Sequence, residues 1–330
     1  MAGSNPLRVM PSMEGDLARI EARLVDAAST DDPALTEIAT HLISAGGKRV
    51  RPGFTLAAAA TALSLDAPAS EDAVTGGVAV ELVHLGSLYH DDVMDEAEVR
   101  RTVDSVNARW GNLRAILAGD FLLARASELA ASLGVEVAAL LANTIGRLCA
   151  GQLLELQHAF DVDRTEELYL RSIDGKTASL LGASCRIGGI VAGVPRDHID
   201  ALTAFGHSYG MAFQIVDDVL DLVASEEEMG KPVGHDMEEG VYTLPVLETL
   251  RGPRGAELRS MLGGPVDAAT RLRAAEIVCD GDGIDRAIRR ANDYASLGRE
   301  ALSNIPGSPG VTGLSAAADY LLDSVEAAAA

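Results

Sequence analysis

The chain has 330 residues, is 48% hydrophobic but only 4% aromatic, and sets 27 basic against 49 acidic side chains for a formal charge of −22. That length holds one large domain or two ordinary ones, and the acidic surplus argues against nucleic acid and anionic membrane surfaces as partners. The longest apolar run, Gly53 to Leu65, is too short and too alanine-rich to span a bilayer, and the N-terminus has no signal-peptide core. No integral membrane segment is expected, and a cytoplasmic location is the default.

Apolar residues recur at helical spacing from about Met13 to about Ala328, between short breaks rich in Gly, Pro or Asp, while alternating strand-like runs are nearly absent. This periodicity predicts an all-α chain with helices over 14–28, 34–44, 52–65, 71–95, 113–132, 135–160, 165–173, 176–192, 196–224, 243–251, 267–279, 284–303 and 314–328. Two long loops are expected at 96–112 and 225–242, and loops of that length in a compact domain usually serve binding. No linker divides the chain, so residues 1–330 read as a single domain. Cys149, Cys185 and Cys279 are odd in number and widely spaced, which predicts reduced core or near-core residues and no disulfide or zinc framework.

The first basic cluster is Gly46-Gly47-Lys48-Arg49-Val50-Arg51-Pro52, at a break between two helices. Its glycines permit close backbone approach and its cations can grip an anion, although a helix terminator with flanking cations has the same composition. Next come Asp91-Asp92-Val93-Met94-Asp95 and, far along the chain, Asp217-Asp218-Val219-Leu220-Asp221. In each, the first and last aspartates lie one helical turn apart on one face, with the second alongside. Six carboxylates brought together repel unless a hard cation neutralises them, and Mg²⁺ is typically held by a few carboxylates plus substrate phosphates. A solvated acidic face is the plain alternative for one such motif, but two copies preceded by apolar sequence argue for metal.

Arg100-Arg101 follows close enough to share the first acidic site. His84, two turns before Asp91 on its face, reads as a phosphate donor, and His90 as a packing residue. Lys176-Thr177 opens a later helix, Gln214 falls on the face of the second motif, and Lys231 lies in the glycine-rich loop beyond it. No Ser-His-Asp or Cys-His arrangement supports covalent catalysis.

In order and approximate spacing, these motifs resemble the trans-isoprenyl diphosphate synthases over about residues 40–245. The resemblance implies an antiparallel bundle of helices around a deep central cavity (the isoprenoid synthase type I fold), usually homodimeric. It also implies Mg²⁺-dependent head-to-tail condensation of isopentenyl diphosphate with an allylic diphosphate. Carried over residue by residue, Asp91, Asp95 and Asp217 would ligate three Mg²⁺ ions, with Asp92, Asp218 and Asp221 supporting them. Arg100, Lys176 and Lys231 would complete the grip on the allylic diphosphate, and Lys48, Arg49, His84 and Arg101 would form the isopentenyl diphosphate pocket. Thr177 and Gln214 would face the developing carbocation.

Two positions depart from the family pattern: Thr102 where a glycine is common, and Val241 where a second lysine often stands. In the same family, aromatic residues four or five positions before the first acidic motif stop elongation early. Here those positions are Ser87 and Gly86. Their small size predicts a long product of six to nine isoprene units (C30–C45), with close helix packing as the other reason for small residues there. A short-chain geranylgeranyl or farnesyl diphosphate synthase is the alternative. A class I terpene cyclase is disfavoured by the second Asp-rich motif, and a non-catalytic partner subunit by the retention of both motifs.

Overall fold

The computed structural model describes residues 6–224 and 233–329, and it is built almost wholly of helices. The first are α1 (Met13–Ala28), α2 (Pro33–Ser44) and α3 (Val50–Ala59), followed by α4 (Glu71–Met94). α4 starts where the Ser70 hydroxyl accepts from Ala73 N at 3.2 Å, with Glu71 and Asp72 in its positive first turn. Its middle is buried on nearly all sides, because it runs through the centre of the bundle against α1, α3 and two later helices, α6 (Asn112–Ser132) and α9 (Ser179–Val191). A short helix α5 (Val106–Trp110) precedes α6. Helix α7 (Val135–Gln157) packs beside α6, and α8 (Glu166–Ile173) leads to α9 through a π-helical turn, Asp174–Ala178.

The long helix α10 (Arg196–Val223) is the second central element. It lies on α9 and against α15 (Gly283–Leu302) and α16 (Pro309–Ala329). Phe205 and Tyr209 on α10 meet Phe54 on α3, with ring centroids 5.9 and 4.5 Å apart. Between α10 and α15 the chain forms α11 (His235–Glu238), α12 (Leu244–Arg251), α13 (Gly255–Arg259) and α14 (Ala268–Cys279). One continuous buried cluster runs through all these layers from Leu7 to Leu322.

The all-α expectation holds, and the elements it missed are short ones. The loop expected at 96–112 contains α5 and a hairpin of Val99–Arg100 with Val103–Asp104. Arg101 and Thr102 turn that hairpin at φ 52° and 65°, the type of two-residue turn that favours glycine or asparagine. A β-branched threonine there is strained, which gives the Thr102 departure a local cost. The loop expected at 225–242 contains α11, and its residues 225–232 lie outside the described ones. Of the cysteines only Cys185 is buried; Cys149 and Cys279 are exposed. Helix α7 is also long and apolar enough by composition to cross a bilayer, which the sequence reading did not anticipate.

Candidate active site

Both acidic motifs end their helices: Asp91–Asp95 closes α4, with Asp95 as its C-cap, and Asp217–Asp221 lies in the last two turns of α10. Helix C-termini carry partial negative charge, so each aspartate cluster stands where only a cation relieves it. The two ends face a cleft of about 450 Å³, lined by Asp91, Asp95, Asp217 and Asp218 together with Arg51, His84, Arg100, Lys176, Thr177 and Gln214. Glu155 from α7, Tyr169 from α8, and Asp236, Glu239 and Val241 from the segment around α11 complete it.

The middle aspartates are held differently. Asp92 is fully buried and accepts from Arg100 Nε at 2.6 Å, while its Oδ2 has no hydrogen-bond partner among the described residues. Asp218, also buried, accepts from the Tyr169 hydroxyl at 2.5 Å and from Gln214 Nε2 at 2.9 Å. Thr177 Oγ1 in turn donates to Gln214 Oε1 at 2.7 Å. Asp221 is buried below the lining, where its Oδ2 accepts from Asp236 N at 3.4 Å.

Burial pushes the carboxyls of Asp91, Asp92 and Asp218 above the usual range, against the pull of Lys176 and Arg100 on Asp91 and of Arg100 on Asp92. For Asp95 the sum of burial with nearby Glu239 and Asp91 raises it to about 6 despite Lys176. Burial alone would lower Lys176, but Glu155, which its Nζ reaches at 2.5 Å, and Asp91 hold it above its ordinary value. His84 is pushed well below its ordinary range by burial and then by Arg51, Arg101, Arg49 and Arg100, so it is neutral at pH 7.

The π turn explains where Lys176 and Thr177 point. Gly151 of α7 and Gly175 meet backbone to backbone: a Cβ on Gly151 would fall 2.4 Å from Lys176 N, and one on Gly175 would fall 2.6 Å from Arg147 O. Only glycine permits that approach. π turns inside helices are frequent at functional sites, and here the turn brings Lys176 and Thr177 into the cleft lining.

The hairpin separates two adjacent arginines. Arg100 turns to Asp92, whereas Arg101 Nη1 donates to the carbonyls of Leu42, at 3.0 Å, and Gly46. Arg49, expected in the isopentenyl pocket, is instead drawn inward. It adopts a left-handed backbone (φ 48°), is 4% exposed, and is bound by Glu21 at 2.5 Å, Glu81 at 2.9 Å and Ile43 O at 3.1 Å. Two carboxylates, buried Glu81 and half-exposed Glu21, consume its charge, and the arginine that reaches the cleft from this run is Arg51. Arg51 Nε has no hydrogen-bond partner among the described residues. Lys48 is exposed on the same loop, and Lys231 lies outside the described residues.

Ser87 lines both the polar cleft and an adjoining apolar cavity of about 450 Å³ between α4, α6 and α7. Val83, Leu123, Ile145, Cys149 and Leu153 line that cavity further. Gly86 does not: it is buried against α6, and a Cβ there would meet Gly119 O at 3.0 Å and Leu123 Cγ at 3.1 Å. Its smallness serves close helix packing, which corrects the chain-length expectation at this position.

The residues present suit a hard divalent cation. The donors are carboxylate oxygens at two helix C-termini, with no soft ligand among them. Among the described residues no three Asp, Glu, His or Cys side chains converge to hold an ion alone.

Sequence reasoning missed Arg51, Glu155 and Tyr169. The first lay in a motif already singled out. The other two carry no local signal.

The polyprenyl synthetase family model matches residues 32–277. The chain is 41% identical over 312 residues, 94% of its length and 92% of the relative's, to nonaprenyl diphosphate synthase of Mycobacterium tuberculosis. A solved polyprenyl synthase from Caulobacter crescentus, complexed with calcium and isoprenyl diphosphate, matches with a TM-score of 0.88 at 33% identity, covering 98% of each chain. A geranylgeranyl pyrophosphate synthase from Corynebacterium glutamicum, also complexed with calcium and isoprenyl diphosphate, matches with a TM-score of 0.84 at 39% identity over 96% of this chain and 98% of that one. The chain belongs to the polyprenyl synthetase family and is a prenyltransferase.

Proposed function

We propose that this protein condenses isopentenyl diphosphate head to tail onto an allylic diphosphate and extends it to a C30–C45 trans-polyprenyl diphosphate. The observation that carries this reading is the joining, at Ser87, of a cleft bearing two opposed aspartate clusters to an apolar cavity. Asp91, Asp95 and Asp217 hold three Mg²⁺ ions in this reading, with Asp92 and Asp218 as their support. When bound, those cations neutralise the diphosphate that leaves on ionisation of the allylic C–O bond.

Arg100, Lys176 and Lys231 bind the allylic diphosphate, and a separate set, Lys48, Arg51, His84 and Arg101, binds isopentenyl diphosphate. Arg49 fixes the loop that carries this second set. Neutral His84 donates one N–H to phosphate without adding charge. Thr177 and Gln214 turn oxygen dipoles toward the carbocation, which the double bond of isopentenyl diphosphate then attacks. No side chain needs to act as a nucleophile, and the released diphosphate accepts the proton.

A homodimer is the assembly this reading favours. Leu113, Ile116 and Leu117 of α6 and Leu153 and Leu156 of α7 are exposed, and a second copy covering them also explains why so apolar a helix as α7 is not a membrane span. The enzyme then works in the cytoplasm on soluble diphosphates.

A shorter, geranylgeranyl product is the second reading, favoured by the 39% identity to the Corynebacterium protein. Incubation with Mg²⁺, isopentenyl diphosphate and farnesyl or geranylgeranyl diphosphate, followed by sizing of the products, separates the two. Chains of C30–C45 support the long-chain reading, and arrest at C20 overturns it.

A further inference from the structure

The segment between α7 and α8 grips the wall that follows the second acidic motif. Phe160 takes φ 59°, donates its N–H to Gly240 O at 2.8 Å, and lays its ring so close to Gly240 that a Cβ there would be 2.7 Å away. Four residues on, Arg164 is 3% exposed. Its Nη1 donates to Tyr242 O at 3.4 Å, and its guanidinium carbon lies 5.7 Å from the centroid of Tyr169. Nε and Nη2 have no hydrogen-bond partner among the described residues.

A guanidinium this deep stays charged, and without a carboxylate in contact its desolvation is costly. Burial lowers its pKa, and the carboxylates that partly offset burial are Glu155 first, with Asp218 and Asp161 behind it. Glu155 and Asp218 both line the cleft: Glu155 pairs with Lys176, and Asp218 accepts from Tyr169. Arg164 is therefore a fixed cation one layer behind the face on which Asp217, Asp218 and Lys176 stand. A charge in that position acts on the cleft through low-dielectric protein, where screening by salt is weak.

We propose that Arg164 is a positioning residue for the allylic half of the cleft: it seats Tyr169 against Asp218 and adds a permanent positive charge that attracts the diphosphate anion once metal has neutralised the aspartates. The proposal rests on the functional reading above and names a residue which that reading does not use. Arg164 touches no substrate, so its effect should fall on one diphosphate and not on the other.

The test is steady-state kinetics with Mg²⁺, isopentenyl diphosphate and farnesyl diphosphate. Wild-type protein that forms no polyprenyl diphosphate overturns the proposed function itself, and is read before any variant. Given an active wild type, Arg164→Gln and Arg164→Met are expected to raise the KM for farnesyl diphosphate about tenfold while the KM for isopentenyl diphosphate stays within about twofold. Arg164→Lys, which keeps the charge, should stay within about threefold of wild type for both. Val241→Lys added to Arg164→Gln restores a cation to the cleft side of the same wall, and should recover most of the lost primer affinity. Unchanged primer KM in the neutral variants, an equal rise for both substrates, or no recovery with Val241→Lys overturns the proposal. So does failure of both neutral variants to fold while Arg164→Lys folds, since the charge would then serve stability alone.

Discussion

The two aspartate motifs share one residue pattern and one helical position, yet their surroundings differ. At the end of α4 the middle aspartate, Asp92, is bound by a cation, Arg100, on a strained hairpin. On α10 the corresponding Asp218, buried like Asp92, is bound by neutral donors, Tyr169 and Gln214. Asp92 thus carries a counter-charge in contact, while Asp218 relies on dipoles and on a cation one layer away. An identical sequence motif fixes which oxygens share a face; the tertiary environment decides how much negative charge they present. Asp92 is partly neutralised before any ligand arrives, whereas the side chains that touch Asp218 offer only dipoles.

The largest effect tests what the two ends have in common. Asp91→Ala or Asp217→Ala should each lower turnover by about three orders of magnitude or more, because stabilisation of the leaving diphosphate is the main catalytic contribution. Far-UV circular dichroism should be unchanged. Activity within tenfold of wild type in either variant would contradict a shared metal-holding role.

Next in size is the contrast itself. A hydrogen bond to a charged group contributes about 1.5–3 kcal/mol, and removing Arg100 also deletes the charge beside a buried carboxylate. Arg100→Ala is therefore expected to cut kcat/KM about a hundredfold, and Tyr169→Phe about tenfold. Equal losses in the two variants, measured side by side, would erase the distinction between charged and neutral support.

The dependence on pH sharpens it further. Asp95 is held at about 6 in the metal-free protein, so it gains a proton as pH falls through that value, and a protonated carboxyl does not ligate metal. The Mg²⁺ concentration for half-maximal activity should rise by up to about tenfold per pH unit below about 6. For stability the sign is opposite in the empty protein. The folded state holds this proton more tightly than the unfolded chain, so the Asp95 contribution to stability declines as pH rises from about 4 to about 6. Bound Mg²⁺ removes that penalty, and the rise in Tm on adding Mg²⁺ should be larger at pH 7.5 than at pH 5. A Tm gain independent of pH would place metal binding away from Asp95.

The smallest effect concerns the product. Ser87→Phe projects into the junction of cleft and apolar cavity, and should shorten the product to about fifteen or twenty carbons while leaving the fold intact. Gly86→Phe should instead destabilise the protein by about 1–3 kcal/mol or more, since its side chain meets α6. A folded Gly86→Phe variant with a shortened product would return Gly86 to the tunnel wall.

That pair of glycine and serine shows why the site was only partly legible in the sequence. The acidic motifs, Lys176-Thr177 and Gln214 could be placed because helical spacing fixes which side chains share a face. The direction of Gly86 could not, because α4 is buried on almost every side and its apolar residues mark no preferred face. Tyr169 reaches Asp218 across 49 positions of sequence and Glu155 reaches Lys176 across 21, so neither contact leaves a local pattern. Arg49 and Arg51 look alike in the sequence, and only Glu21 and Glu81, brought in from α1 and α4, decide which one is consumed by the core. The helices themselves were readable nearly throughout, whereas the hairpin and the shortest helices were too brief to show a period.

The central claim is that the ends of α4 and α10 together hold divalent cations for one diphosphate. Its most direct test is equilibrium binding of Mn²⁺, used in place of Mg²⁺, to wild type and to Asp91→Ala and Asp217→Ala, with a non-ionisable allylic diphosphate analogue present. Three tightly bound ions per chain in the wild type, with occupancy lost in both variants, is the predicted result. Full occupancy in either variant, or three tightly bound ions in the absence of the diphosphate, would contradict it.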